Sequence, residues 1–168
     1  IDDNATAQVL VCTHSMGEVL ALSNRLTEVH VGKHATYDHY KLENTNLKNV
    51  NLGSLYIRQE NNSNVLVNEI TLHNGKTRNN VKIDLDGEHC ETILCGMAVA
   101  DCKEHIDNFT AINHNSPNCK SKELYKYVLD GEACGVFSGR IFAKEGAQKT
   151  EAYQTNKNVC MKPTARMF

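Results

Sequence analysis

Gly131-Glu-Ala-Cys-Gly-Val-Phe-Ser-Gly-Arg-Ile-Phe-Ala-Lys-Glu-Gly-Ala-Gln-Lys-Thr-Glu-Ala-Tyr-Gln-Thr-Asn-Lys-Asn158 is the stretch whose reading decides the fold. Its first half alternates with period two. Phe137, Gly139, Ile141 and Ala143 fall on one face, and Ser138, Arg140 and Lys144 on the other, joined there by Val136 and Phe142. Such alternation predicts a strand with one face in a core. The small residues Gly139 and Ala143 among large ones suit a narrow interior where another backbone comes close. Glu145-Gly146 breaks the strand. A polar second strand follows, with Gln148, Gln154, Asn156 and Asn158 spaced by multiples of two. Evenly spaced amides can stack as ladders in a coil of parallel strands. An ordinary half-buried hairpin fits the same pattern.

Working outward, the chain carries the same signals throughout. Gln8–Thr13 is an apolar strand. Ser15-Met-Gly-Glu18 has the form of a capping box, but Gly17 lies in its first turn, so Val19–Leu22 is read as strand. Val29 and Val31 share one face of Thr27–Gly32. Leu55–Gln59, Val65–His73, Val81–Leu85, Thr92–Ala100 and Lys122–Leu129 are further strands, and a short one follows Asn158. Asn74-Gly75 and Asp86-Gly87 are turn signals. Ten or eleven strands with no sustained helical period predict a sandwich, a barrel or a solenoid. The nineteen asparagines, which tolerate left-handed backbone, lean toward the solenoid.

A chain of 168 residues is one domain. A net charge of −2 and a pI near 6.5 give no electrostatic case for nucleic acid or an anionic membrane. No apolar run is long enough to span a bilayer. No secretory leader opens the chain. Ile1 in place of Met, and the abrupt stop at Phe168, are expected of a piece of a longer protein. The seven cysteines are odd in number, irregularly spaced and without Cys-x-x-Cys, so they are read as reduced thiols of a reducing, cytoplasmic compartment.

Candidate ligands are few. His30, His34 and His39 are close in sequence, but in a strand His34 and His39 point to opposite faces, which argues against a shared metal. Cys90, Cys95 and Cys102, with His89 and His105, have gaps that match no standard site and are read as core thiols beside surface histidines. Asp84-x-Asp86-Gly87 lacks the other ligands of a calcium loop. His114 and Cys119, across a short loop, are the best ligand pair in the chain, with a polar loop that ties a corner together as the competing reading.

Val136–Ile141 followed by Ala147–Asn158 resembles the signature of the SufB/SufD family, scaffolds of Suf iron–sulfur cluster assembly. The Gln-x-Asn-Lys-Asn ending is more similar to the SufD branch. Thr27–Glu43, with a Val-Gly turn before a strand containing Tyr-Lys-Leu, resembles the same pattern. So does His114-Asn115-Ser116-Pro117 ahead of Lys126, Val128 and Leu129. The resemblance implies an all-β fold, a right-handed parallel β-helix with a single-stranded solenoid core over residues 1–168. The family's N-terminal and C-terminal helical regions have no counterpart here. It further implies a non-enzymatic scaffold that acts with SufB-like and SufC-like subunits. No P-loop is present, so ATP hydrolysis belongs to a partner. The family's Cys-x-His-Gly motif is expected downstream, so no catalytic, cofactor-binding or metal residue is assigned to this chain. An iron–sulfur cluster is expected only in the full complex, and a homodimer is expected for the chain in isolation. The alternative is a β-helix carbohydrate-active enzyme using Asp84 and Asp86. A zinc hydrolase lacks His-Glu-x-x-His.

Overall fold

A computed structural model describes residues 1–17 and 19–168. Twelve strands follow one another: β1 (Thr6–His14), β2 (Leu22–Val31), β3 (Thr36–Asn44), β4 (Val50–Gln59), β5 (Asn64–His73), β6 (Lys76–Leu85), β7 (Glu91–Ala100), β8 (His105–His114), β9 (Lys120–Leu129), β10 (Cys134–Ala143), β11 (Glu151–Cys160) and β12 (Arg166–Met167). Odd-numbered strands form one sheet, in the order β1-β3-β5-β7-β9-β11; even-numbered strands form the other, β12-β10-β8-β6-β4-β2. Every pairing is parallel. The chain is therefore a β-helix: each turn contributes one strand to each sheet, and the core lies between them.

The period-two pattern is explained by this winding. Parallel sheets are usually covered on both faces and read as continuous apolar runs. Here only the inner faces are covered, so in β6 Val81, Ile83 and Leu85 are buried while Lys82 and Asp84 are only partly so. In β10 Phe137, Gly139 and Ile141 face inward and Ser138, Arg140 and Phe142 are exposed; Ala143 at the strand end is also exposed.

The corners repeat too. Asn4, His34, Asn62, His89, Asn118 and Lys149 all have positive φ, between 55° and 60° or just above, and each sits two residues before a strand of the odd-numbered sheet. A left-handed residue at each of these corners lets the chain bend sharply into the next strand, and asparagine is the non-glycine residue that tolerates it best. Corner backbones then stack: His34 N donates to Asn61 O (3.0 Å) and Asn62 N to Glu88 O (2.8 Å). Gly87 lies so close to the turn below that a Cβ there would stand 2.1 Å from Asn61 N.

The hairpin alternative is set aside, and two expectations are corrected. The quoted stretch is not a hairpin: β10 pairs with β8 and β12, β11 pairs with β9, and Glu145-Gly146 carries the chain from one sheet to the other. Asn74-Gly75 is likewise a corner between sheets. Of Val19–Leu22 only Leu22 is strand; Glu18, which would complete the capping box, lies outside the described residues. His34 is a corner residue, because the strand begins only at Thr36.

Candidate functional site: buried thiols and an axial polar network

The residue that follows each left-handed corner is small: Ala5, Ala35, Ser63, Cys90, Cys119 and Thr150 form one column on successive turns. Of these, Ala35, Ser63, Cys90 and Cys119 are buried against neighbouring turns. Cys90 and Cys119 are fully buried there. Cys90 Sγ lies 3.1 Å from Glu60 O and 3.2 Å from Gly87 O; Cys119 Sγ lies 3.2 Å from the same Gly87 O. Carbonyl oxygens accept S–H hydrogen bonds and disfavour a thiolate. Between the two thiols, the hydrogen bond from Cys90 and then the neighbouring His114 lower Cys119, while the same bond and burial push Cys90 up.

His114 is fully buried at the end of β8 and shares a hydrogen bond with Ser121 Oγ at 2.9 Å. The structure thus brings His114 and Cys119 together, but inside the corner and away from solvent. The polar-loop reading accounts for both, and the column of small residues explains the cysteines.

The other predicted residues are dispersed. Cys95 is on the outer side of β7 and Cys102 is exposed in a corner, so neither is the core thiol expected. All seven cysteines are free. His89 is exposed, and His105 lies on the outer face of β8. His30 is exposed near Glu60, at 3.7 Å. His39 is buried and shares a hydrogen bond with Tyr37 Oη at 2.8 Å; burial, then Lys41, lowers its pKa. Asp84 and Asp86 stand on or beside the outer end of β6. Asp84 meets Lys82 (3.0 Å) and Asn113 (2.6 Å), and Asp86 meets Arg58 (2.8 Å) and Asn115 (2.7 Å). They serve as bridges between turns.

Sequence reading missed the network along the axis. Lys41 points inward and reaches Glu43 (3.0 Å), Glu69 (3.9 Å) and Asn79 Oδ1 (2.7 Å). Asn79 donates to Asn108 Oδ1 (2.9 Å), Asn108 to Tyr127 Oη (2.5 Å), and Tyr127 to Val136 O (2.9 Å). The expected amide ladder of Gln154, Asn156 and Asn158 does not form. Their neighbours across β9 are Glu123, Tyr125 and Tyr127, and a ladder needs amides on adjacent turns. Gln154 instead donates to Glu123 at 2.9 Å. Gly139 is small to clear that Gln154 side chain, whose Nε2 would stand 1.7 Å from a Cβ, rather than to admit a backbone. Asn79 and Asn108 are the inward amides that stack. Their signal was an Asn on the apolar phase of two strands 29 residues apart.

This site holds a fixed, largely satisfied polar interior and offers no open cleft with convergent acid and base. At the N-terminal turns a cavity of about 30 Å³, lined in part by Thr13, Arg25, Lys41, Glu43 and Glu69, has room for a water.

The family described as "SUF system FeS cluster assembly, SufBD core domain" matches residues 1–168. Curated relatives include an iron–sulfur cluster assembly SufBD family protein of Synechocystis, 23% identical over 156 residues, which are 93% of this chain and 34% of that protein. The iron–sulfur cluster assembly protein SufD of Escherichia coli is 31% identical over 84 residues, 50% of this chain and 20% of the relative. Protein ABCI7 of Arabidopsis thaliana, described as chloroplastic, is 26% identical over 146 residues, 85% of this chain and 30% of the relative. The chain spans about a third or less of these relatives. With a parallel β-helix throughout and a match over every residue, the chain belongs to the SufBD core domain family of the SUF iron–sulfur cluster assembly system.

Proposed function

We propose that the chain is the core of a non-enzymatic, SufD-like scaffold subunit, working with SufB-like and SufC-like subunits in a reducing, cytoplasm-like compartment. The observation that carries this reading is the family match over residues 1–168, joined by the likeness of half the chain to SufD of Escherichia coli. An interior filled by its own side chains supports a role in holding partners rather than turning over a substrate. The carbohydrate-active alternative loses its support, because Asp84 and Asp86 are engaged in ion pairs.

The edges of the β-helix are the surfaces this scaffold offers. Within residues 1–168, β11 pairs with β9 alone and is exposed along its length. An open edge of unpaired N–H and C=O groups pairs readily with another strand. In isolation this gives a homodimer; in the assembled complex it gives the SufB-like contact. SufC-like docking belongs to helical regions of the family rather than to the β-helix, so residues 1–168 alone bind SufC at least tenfold more weakly than a protein with those regions, about 1.4 kcal/mol. An iron–sulfur cluster is held only in the full complex. The test is co-purification of the tagged chain with a SufB-like subunit, alongside calorimetry with SufC. Retention of SufB and weak SufC binding are expected. A chain that captures neither SufB nor itself, and stays monomeric at high concentration, overturns the proposal.

A further inference from the structure

The corner between β7 and β8 gathers His73, Asp101 and Glu104, one ligand atom of each lying within 4.8 Å of the others. Glu104 is out of place in its column. The residue just before each strand of the even-numbered sheet is Ala21, Asn49, Gly75, Glu104, Ala133 and Ala165 on successive turns. Amid these short side chains stands a carboxylate with no exposed side-chain surface. Among the described residues, no Lys or Arg ion-pairs with it. Its ion-pair partner is His73, which carries charge only when protonated, and a buried carboxylate without a permanent cation is costly.

Its orientation is set by backbone. Asn74 N donates to Oε1 (3.1 Å) and Asp101 N to Oε2 (2.8 Å). One lone-pair direction on each oxygen remains. His73 is aimed at it by a bulge in β5: pairing with β3 skips Leu72, so Asn44 meets His73. Bulges commonly re-aim a side chain in this way. His73 Nδ1 thus lies 2.8 Å from Glu104 Oε1. Adjacent ligands on an octahedral ion with bonds of about 2.1 Å stand about 3.0 Å apart, so the pair already has the spacing of neighbouring ligands.

We infer that His73, Asp101 and Glu104 form a binding site for one first-row divalent cation of the manganese–iron–cobalt–zinc class. Imidazole with two carboxylates is a nitrogen and oxygen donor set, suited to a single ion rather than to a thiolate-held cluster. His73 offers the Nδ1 lone pair and keeps its proton on Nε2. The amides of Asn74 and Asp101 supply the outer support that orients a metal-binding carboxylate. A cleft of about 150 Å³, with Leu72, Val99 and Asp130 on its walls, opens the site to solvent and leaves room for water to complete the shell.

Titration of the reduced protein with Co²⁺, followed by visible absorption and calorimetry, tests this. We expect one saturable equivalent with weak d–d bands and no thiolate-to-metal charge transfer in the near ultraviolet. His73→Ala and Asp101→Asn, both partly exposed, should each weaken binding at least tenfold, about 1.4 kcal/mol, with unchanged circular dichroism. Cys102→Ser, beside the site, should leave it unchanged. Absence of saturable binding at millimolar Co²⁺, equal affinity in His73→Ala, or a charge-transfer band lost with a Cys→Ser change overturns the assignment.

Discussion

Two columns of the interior are built on opposite rules. Along the middle of the even-numbered sheet, Val29, Ile57, Ile83, Ile112 and Ile141 stack turn upon turn. Along the middle of the odd-numbered sheet the equivalent column reads Val11, Lys41, Glu69, Gly96, Tyr125 and Asn156. The first repeats one shape, so each turn fits the next without adjustment. The second repeats nothing, so every member needs a specific neighbour. Glu69 needs Lys41, and the fully buried Tyr125 ring needs the absence of a side chain at Gly96. An in-register coil forces residues of equal phase into contact, and what they are decides whether that contact is automatic or compensated.

The largest expected effect comes from breaking the compensated column at its charge. Lys41→Met leaves Glu43 and Glu69 buried without their cation. Breaking a buried pair from one side costs about 3–5 kcal/mol. Denaturant unfolding should show that loss, and adding Glu43→Gln and Glu69→Gln should recover much of it. No recovery would mean that Lys41 acts through its packing alone.

Ile83→Ala cuts the uniform column at a residue with no exposed surface. A cost of about 2–5 kcal/mol is expected. Ile83→Val should cost about 0.5–1.5 kcal/mol, because the stack tolerates a shape close to its own. A Val variant as damaged as Ala would show that this column also depends on exact fit.

Gly96→Ala places a methyl where it would meet Tyr125 Cε1 at 2.0 Å. Overpacking of this kind costs about 1–3 kcal/mol. The paired change Gly96→Ala with Tyr125→Leu should be less destabilising than the sum of the two. Strict additivity would rule out the proposed compensation.

The smallest effect depends on pH. Glu123, in the neighbouring inner column, is raised chiefly by burial, with hydrogen bonds that include one from Gln154 partly offsetting it. A carboxyl raised in the folded state adds stability that is present below the unfolded value of about 4.3 and lost as pH rises through the folded value. Glu123→Gln should therefore be more stable than the parent at pH 8, by on the order of 1 kcal/mol, and the gap should close toward pH 4. Thermal melts across that range decide it; a gap that widens on acidification would show that the carboxylate is the favoured form.

Period-two alternation, read residue by residue, placed the strands and their inward faces, because a side chain's side of the sheet depends only on its position along the strand. The asparagines and the scarcity of helical pattern were enough to prefer a coil. Which turn lies on which was not legible. Successive left-handed corners are 27 to 31 residues apart, as from Asn62 to His89 and from Asn118 to Lys149, and the uneven spacing hid the repeat. Only the tertiary register put Tyr125 over Gly96, joined Lys41 to Asn79, and turned His73 toward Glu104. Those contacts join residues 29 to 38 positions apart, and local spacing carries no information about a partner on another turn. That is also why Cys119 was the better ligand candidate in sequence, while the structure sets it with Cys90 among the small residues of a corner.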